Sequence, residues 1–167
     1  SKIIGEKINN HVRICDLCDA LIENAYKNSK KIYLLGAKEE INILAQKKIE
    51  AKYKNIECMG HHGYFPENDI YHIIEQILSF QPDLIIVGIS SPKKERFILN
   101  IAQYYTGSVN IASGGYIDLI SGFVKGSPDF MKKMGLEWIF RFFQEPKRMF
   151  GPMLLNGFHF LIFVLPK

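Results

Sequence analysis

The sequence predicts an α/β fold built on an open parallel sheet with helices on both faces, and three observations support it. Leu84–Val87 is a continuous aliphatic run rather than an alternating one, which is how a strand covered on both faces reads. Amphipathic helical stretches alternate with such short apolar runs at least four times along the chain. Glycines stand at or just after the runs, at Gly36, Gly60, Gly88 and Gly114, where a backbone must leave a sheet. A chain of 167 residues, 47% hydrophobic and 23% charged, supports one such domain with a full core and hardly two.

Residues 12–28 read as a first helix, with Ile14, Leu17, Leu21, Ile22 and Ala25 on one face. Lys31 to Leu35 is a short buried strand ended by Gly36, and Lys38 to Lys54 is a helix with Ile41, Leu44, Ala45 and Ile49 inward. Ile56 to Met59 is the next strand. It leads into Gly60-His61-His62-Gly63-Tyr64-Phe65, a ring-rich loop suited to holding a base or a sugar, unless Phe65 packs inward and the histidines are solvated. Glu67 to Phe80 is the cleanest helix, with Ile70, Ile73, Ile74, Ile77 and Leu78 on one stripe. After the central strand, Lys94 to Tyr105 is a helix, Val109 to Ala112 a strand, and Gly114-Gly115 precedes a short helix carrying Asp118 and ending at Gly122.

The central strand's exit is the first place to expect a ligand. Ser91 is the expected N-cap and Pro92 the expected first helical residue, followed by the cations Lys93 and Lys94. Carboxyl ends of parallel strands, where helix N-termini offer N–H groups and a positive dipole end, attract anions, above all phosphate. An ordinary strand-to-helix turn with solvated lysines is the competing reading. Gly114-Gly115 permits a close approach of backbone to ligand, though a lone pair is a weak signal.

The net charge of +4 is concentrated in one segment: from Lys125 onward there are seven Lys or Arg against three Asp or Glu. That excess suits an anionic ligand or an anionic membrane surface. No signal peptide and no apolar run of about 20 residues is present, so no outright membrane span is expected. The chain opens on Ser1 in polar sequence, as a fragment or a processed product would. Three cysteines make no paired disulfide framework. Cys15, Cys18, Cys58 and His61 have spacings compatible with zinc, but Cys15 and Cys18 fall on an apolar helix face, where cysteine acts as a small hydrophobe; no metal is expected. Composition changes only after Pro146, giving an α/β core over 1–146 and an appendage over 147–167. The Phe- and Leu-rich Met149–Leu165 run, beside Lys147 and Arg148, reads as an interfacial anchor, with a terminal element docked on its own core as the alternative.

The most specific string is Gly135-Leu-Glu-Trp-Ile-Phe-Arg-Phe-Phe-Gln-Glu-Pro-Lys-Arg148. It resembles the closing signature of the bacterial N-acetylmannosaminyltransferase family (WecG/TagA/CpsF, glycosyltransferase family 26). Further matches run in the family's order: Asp16-Leu17, Tyr33-Leu-Leu-Gly36, Gly63-Tyr64-Phe65, Pro82-Asp83-Leu84, Ser91-Pro92-Lys93 with Glu95, Gly114-Gly115 with Asp118 and Gly122, and Pro128. The resemblance covers roughly Val12 to Arg148 and implies a Rossmann-like core with a membrane-facing C-terminal appendage. It implies a peripheral enzyme at the cytoplasmic face of the cell membrane. Such an enzyme moves a sugar, typically N-acetylmannosamine, from UDP to a polyprenyl-diphosphate-linked acceptor with inversion, in teichoic acid or surface polysaccharide synthesis. It needs no cofactor beyond the UDP-sugar substrate; nucleic acid is not an expected partner, and a homo-oligomer stays open.

Carried onto this chain, the resemblance marks Asp16, Gly36, Tyr64, Ser91, Lys94, Glu95, Gly114, Gly115, Asp118, Arg141 and Arg148 as substrate-binding residues. Arg141 and Arg148 are expected to meet phosphate, or else to pair with Glu137 or Glu145. The family's proposed general base, the Asp of an Asp-Gly pair, would lie upstream of Ser1, leaving Asp118 as a weak substitute. Lys94 stands where the family usually has Gln, Gly126-Ser127-Pro128 where it has Arg-Ala-Pro, and Ile14 where it has Gly. Two other readings follow from these departures and from the residues: a non-catalytic, membrane-docked nucleotide-sugar-binding partner, and an unrelated dinucleotide enzyme. The second is disfavoured because no Gly-x-Gly-x-x-Gly follows any strand.

Overall fold

The computed structural model describes residues 12–128, 130–131, 134, 136–144 and 146. The expected appendage at 147–167 lies outside them. The chain gathers into two compact units, Ser1–Phe123 and Val124–Lys167.

The first unit is a Rossmann-like α/β sandwich, as the sequence predicts. Its elements are α1 (Ile14–Lys27), β1 (Ile32–Gly36), α2 (Glu39–Lys52), β2 (Cys58–His61), α3 (Ile70–Phe80), β3 (Leu84–Gly88), α4 (Lys93–Tyr104), β4 (Val109–Ala112) and α5 (Tyr116–Ile120). The four strands form one parallel sheet in the order β2-β1-β3-β4. β1 and β3 are the inner pair, and Ile32–Leu35 and Leu84–Val87 are buried on both faces. Their alternate side chains feed two cores. Ile32, Leu34, Leu84 and Ile86 pack with α1, α2 and α5 through Cys18, Ile22, Ala45, Ile49, Tyr116 and Ile117. Tyr33, Leu35, Ile85 and Val87 pack with α3 and α4 through Ile73, Ile74, Ile77, Phe97 and Ile101. An aliphatic side chain buried this fully contributes about 1.5–3 kcal/mol over leaving it in water, so the inner strands anchor the fold.

Two boundaries differ from the sequence reading for physical reasons. The strand expected at Ile56–Met59 runs instead over Cys58–His61 and absorbs Gly60. Gly60 lies opposite Leu34, and a Cβ there would lie 2.6 Å from the Leu34 carbonyl oxygen. The helix expected from Glu67 opens with a 3₁₀ turn at Glu67–Asp69 before α3 proper begins at Ile70.

In the second unit, α6 (Glu137–Gln144) is held at its end by a reciprocal pair of hydrogen bonds. The Lys125 amide donates to Gln144 Oε1 at 2.8 Å, and Gln144 Nε2 donates to the Lys125 carbonyl at 3.0 Å. Phe130, Met134 and Phe143 are exposed. Among the described residues, no helix is long and apolar enough to cross a membrane.

Candidate functional site

The strand order locates a crevice that the linear sequence does not display. β1 passes into α2, on one face of the sheet, while its neighbour β3 passes into α4, on the other. Where adjacent strands send their chains to opposite faces, the loops at their carboxyl ends part, and ligands of open α/β sheets collect there. Here that point lies between Gly36 and Gly88, which are paired in register.

The floor of the crevice is backbone. A Cβ on Gly36 would sit 2.6 Å from the Gly88 carbonyl oxygen, and one on Gly88 would sit 2.9 Å from the Gly114 carbonyl oxygen, so neither position admits a side chain. The loop after β2 folds over this row: the Gly63 amide donates to the Ala37 carbonyl at 2.8 Å, and its Cα faces Gly36 and Ile89. That loop is internally braced. His61 Nδ1 lies 2.8 Å from the His62 carbonyl, the Tyr64 amide donates to His62 Nδ1 at 3.2 Å, and Phe65 meets the His61 ring edge-on while packing on the α3–α4 core. Phe65 thus turns inward and Tyr64, 70% exposed, is the ring left for a ligand.

The two helix heads beside the crevice differ in charge. α2 begins with Glu39 and Glu40, whereas α4 begins with Lys93, Lys94 and Glu95. An anion is therefore favoured on the α4 side. The expected capping is corrected: Pro92, not Ser91, is the N-cap of α4, and it makes no side-chain cap. The Ser91 hydroxyl instead donates to Glu95 Oε1 at 2.5 Å, because a full negative charge is the stronger acceptor. The Lys94 amide is taken by the Ser90 carbonyl at 3.1 Å. The Lys94 ammonium, on a side chain only 22% exposed, lies 3.7 Å from Glu95. The Ser91 hydrogen bond, helped by the residue's own backbone amide and the Lys94 charge, holds the Glu95 carboxyl below its usual range despite some desolvation.

The remaining expected residues fall in separate places. Gly114 has φ +58°, and among the described residues nothing lies within 4 Å of where a Cβ would stand. Asp118 is buried in α5, and the adjacent turn is closed by the Ser121 hydroxyl on the Asp118 carbonyl at 2.8 Å. Asp16, near the start of α1, forms a two-bond ion pair with Arg13 at 2.7 and 2.6 Å. Arg141 lies in α6, but its side chain, like Arg148, is outside the described residues. Among the described residues, no three His, Cys, Asp or Glu side chains are grouped to hold a metal. Burial pushes the Cys18 and Cys58 thiols up to about 12, so neither is a thiolate at neutral pH.

Three features of the site escape a linear reading. Asn42, in the middle of α2 and 1% exposed, places Nδ2 3.1, 2.9 and 3.0 Å from the carbonyls of Leu34, Gly36 and His61. Its Oδ1 accepts from Gln46 at 2.7 Å. Ser113, just past β4, buries its hydroxyl without a hydrogen-bond partner among the described residues. The Tyr116 hydroxyl donates to Asp19 at 2.5 Å, and burial, then that bond, pushes the phenol's pKa well up. A separate depression of about 360 Å³, lined by Tyr26, Lys27, Ser29, Lys54, Asn55 and Ile56, opens at the opposite edge of the sheet, before β1 and β2 begin. It holds none of the expected site residues.

Comparison with known proteins identifies the family. The sequence profile described as the "Glycosyl transferase WecG/TagA/CpsF family" matches residues 1–167. Relatives include the N-acetylglucosaminyldiphosphoundecaprenol N-acetyl-beta-D-mannosaminyltransferases of Staphylococcus aureus strains MW2 and MRSA252. Each is 33% identical over 134 residues, which cover 80% of this chain and 52% of the relative. The chain thus spans about half the length of the curated relatives it matches. It belongs to the WecG/TagA/CpsF glycosyltransferase family.

Proposed function

We propose that this member of the family serves a glycosyl transfer in which N-acetylmannosamine passes from UDP to an N-acetylglucosaminyl-diphosphate-polyprenol acceptor. The names of its relatives support the sugar and the acceptor. The observation that carries the reading is the crevice between β1 and β3, floored by backbone and carrying Lys94 on its α4 side. In an inverting transfer the acceptor hydroxyl oxygen attacks the anomeric carbon and gives its proton to a base. The bond to the β-phosphate oxygen breaks, and UDP departs with the electron pair. Charge grows on that oxygen, and a fixed cation at a helix head stabilises it. Tyr64 offers a face on which a base or sugar ring can stack.

We assign no base of this reaction among the described residues. The burial of Asp118 in α5 favours a positioning role for it over direct proton transfer. The basic, apolar C-terminal segment supports a peripheral seat on anionic lipid at the cytoplasmic face, where a polyprenyl acceptor presents its diphosphate. Calorimetric titration with UDP tests the site. Binding is expected, and Lys94→Ala should weaken it by roughly 1.5–3 kcal/mol, the worth of a charge-assisted contact. A folded protein that ignores UDP, or an affinity unmoved by Lys94→Ala, would overturn the assignment.

A further inference from the structure

The head of α4 already holds an anion of its own. Glu95 is fixed there from two sides, by the Ser91 hydroxyl at 2.5 Å and by the Lys94 ammonium at 3.7 Å, both meeting Oε1. The backbone around it is similarly engaged, with the Lys94 amide on Ser90 and the Arg96 amide on Pro92. Lys94, the cation assigned above to the diphosphate, is thus shared with a neighbouring carboxylate.

We propose that Glu95 is a built-in competitor for the anionic ligand at Lys94, setting how tightly the nucleoside diphosphate is held and how readily it leaves. This rests on the reading of the crevice as a UDP site. A phosphate approaching Lys94 meets a carboxylate within a few ångströms, and like charges at that separation repel appreciably at a protein surface. Ser91 keeps Glu95 from simply rotating away, so the repulsion persists once the ligand arrives. A transferase gains from this, because the product UDP carries the same diphosphate as the donor, with more charge after the bond breaks. A site made only of cations would hold that product and slow the next turnover.

The test compares the wild-type chain with Glu95→Gln, Lys94→Ala and the double variant, titrated with UDP, inorganic pyrophosphate and uridine. Glu95→Gln keeps the side chain's shape and an acceptor for Ser91 while removing the charge. It should tighten UDP and pyrophosphate roughly five- to tenfold at low salt, leave uridine unchanged, and lose most of that gain in high salt. In the Lys94→Ala background the gain should largely disappear. Unchanged or weakened binding of both anions by Glu95→Gln overturns the proposal; weakening of UDP alone would mean that Glu95 accepts a ligand hydroxyl instead, and overturns it equally. If pyrophosphate behaves as expected while UDP does not bind, the competitor stands and the nucleotide reading falls. Binding of neither anion to any variant overturns both.

Discussion

The two halves of the sheet's carboxyl edge are finished differently. At the ends of β1 and β2, the Asn42 amide meets three strand-end carbonyls and is itself bonded by Gln46. At the ends of β3 and β4, among the described residues, the Ser113 hydroxyl is buried without a partner, a Cβ on Gly114 would meet nothing within 4 Å, and the Lys94 ammonium is paired with Glu95. Buried polar groups that serve only the fold are satisfied by the fold, as Asn42 is. The β3–β4 half departs from that rule at Ser113, beside the crevice proposed as the ligand site.

The largest expected effect breaks the finished half. Asn42→Ala removes an NH2 group whose two hydrogens serve three carbonyls at the strand ends, at a cost of about 3 kcal/mol. Urea denaturation should read that loss as an earlier midpoint at unchanged slope. A loss below about 1 kcal/mol would mean that water readily replaces the amide and that the two halves are not distinct. On the unfinished half the sign should reverse. Ser113→Ala removes a buried hydroxyl that gains nothing from the fold, so stability should hold or rise by up to about 1 kcal/mol. A clear loss would show that the hydroxyl is satisfied after all.

The smallest effect lies at the other end of the same inner strands. Asp83 accepts from Lys30 Nζ and from the Lys31 amide, each at 2.9 Å. Desolvation pushes its carboxyl up, but these bonds and the lysine charges outweigh it and leave the pKa below the ordinary 3.8. A depressed carboxyl stabilises the fold above its unfolded value and loses that contribution as pH falls through the folded one. Because the pair is well exposed, Asp83→Asn should cost under about 1 kcal/mol near neutrality. The difference from wild type should vanish in melts taken well below pH 3.8. If it persists there, the Lys31 amide bond rather than charge is the source.

The inner strands and most of the helix faces were legible because burial on a sheet or a helix leaves a periodic trace, although Ile14, Leu17, Leu44 and Leu78, expected inward, are exposed. Leu84–Val87 and the Ile70, Ile73, Ile74, Ile77 stripe fall where that trace puts them. Asn42 left none, since an asparagine in a lysine- and glutamate-rich helix reads as solvated; only the crossing of α2 over the strand ends buries it. The crevice was half legible. Gly88 and Lys94 mark one wall, but the partner wall at Gly36 depends on strand order, which is not written in any local window. Ser91 misled because its preference for helix starts is real, yet a carboxylate four residues on outcompetes backbone amides for its hydroxyl.

The contact between Gly36 and Gly88 has a consequence for how such a site can change. A packing contact made of main chain stays the same whatever the neighbouring residues become, so substitution cannot retune it gradually. Any side chain added there collides with backbone and disturbs the sheet itself. If the crevice is the nucleotide-sugar site proposed above, variation that retunes it is channelled into the rim, at Tyr64 and along Ser91–Glu95. A mutational library aimed at altered sugar preference should spend its variation on those positions and leave the glycine row untouched.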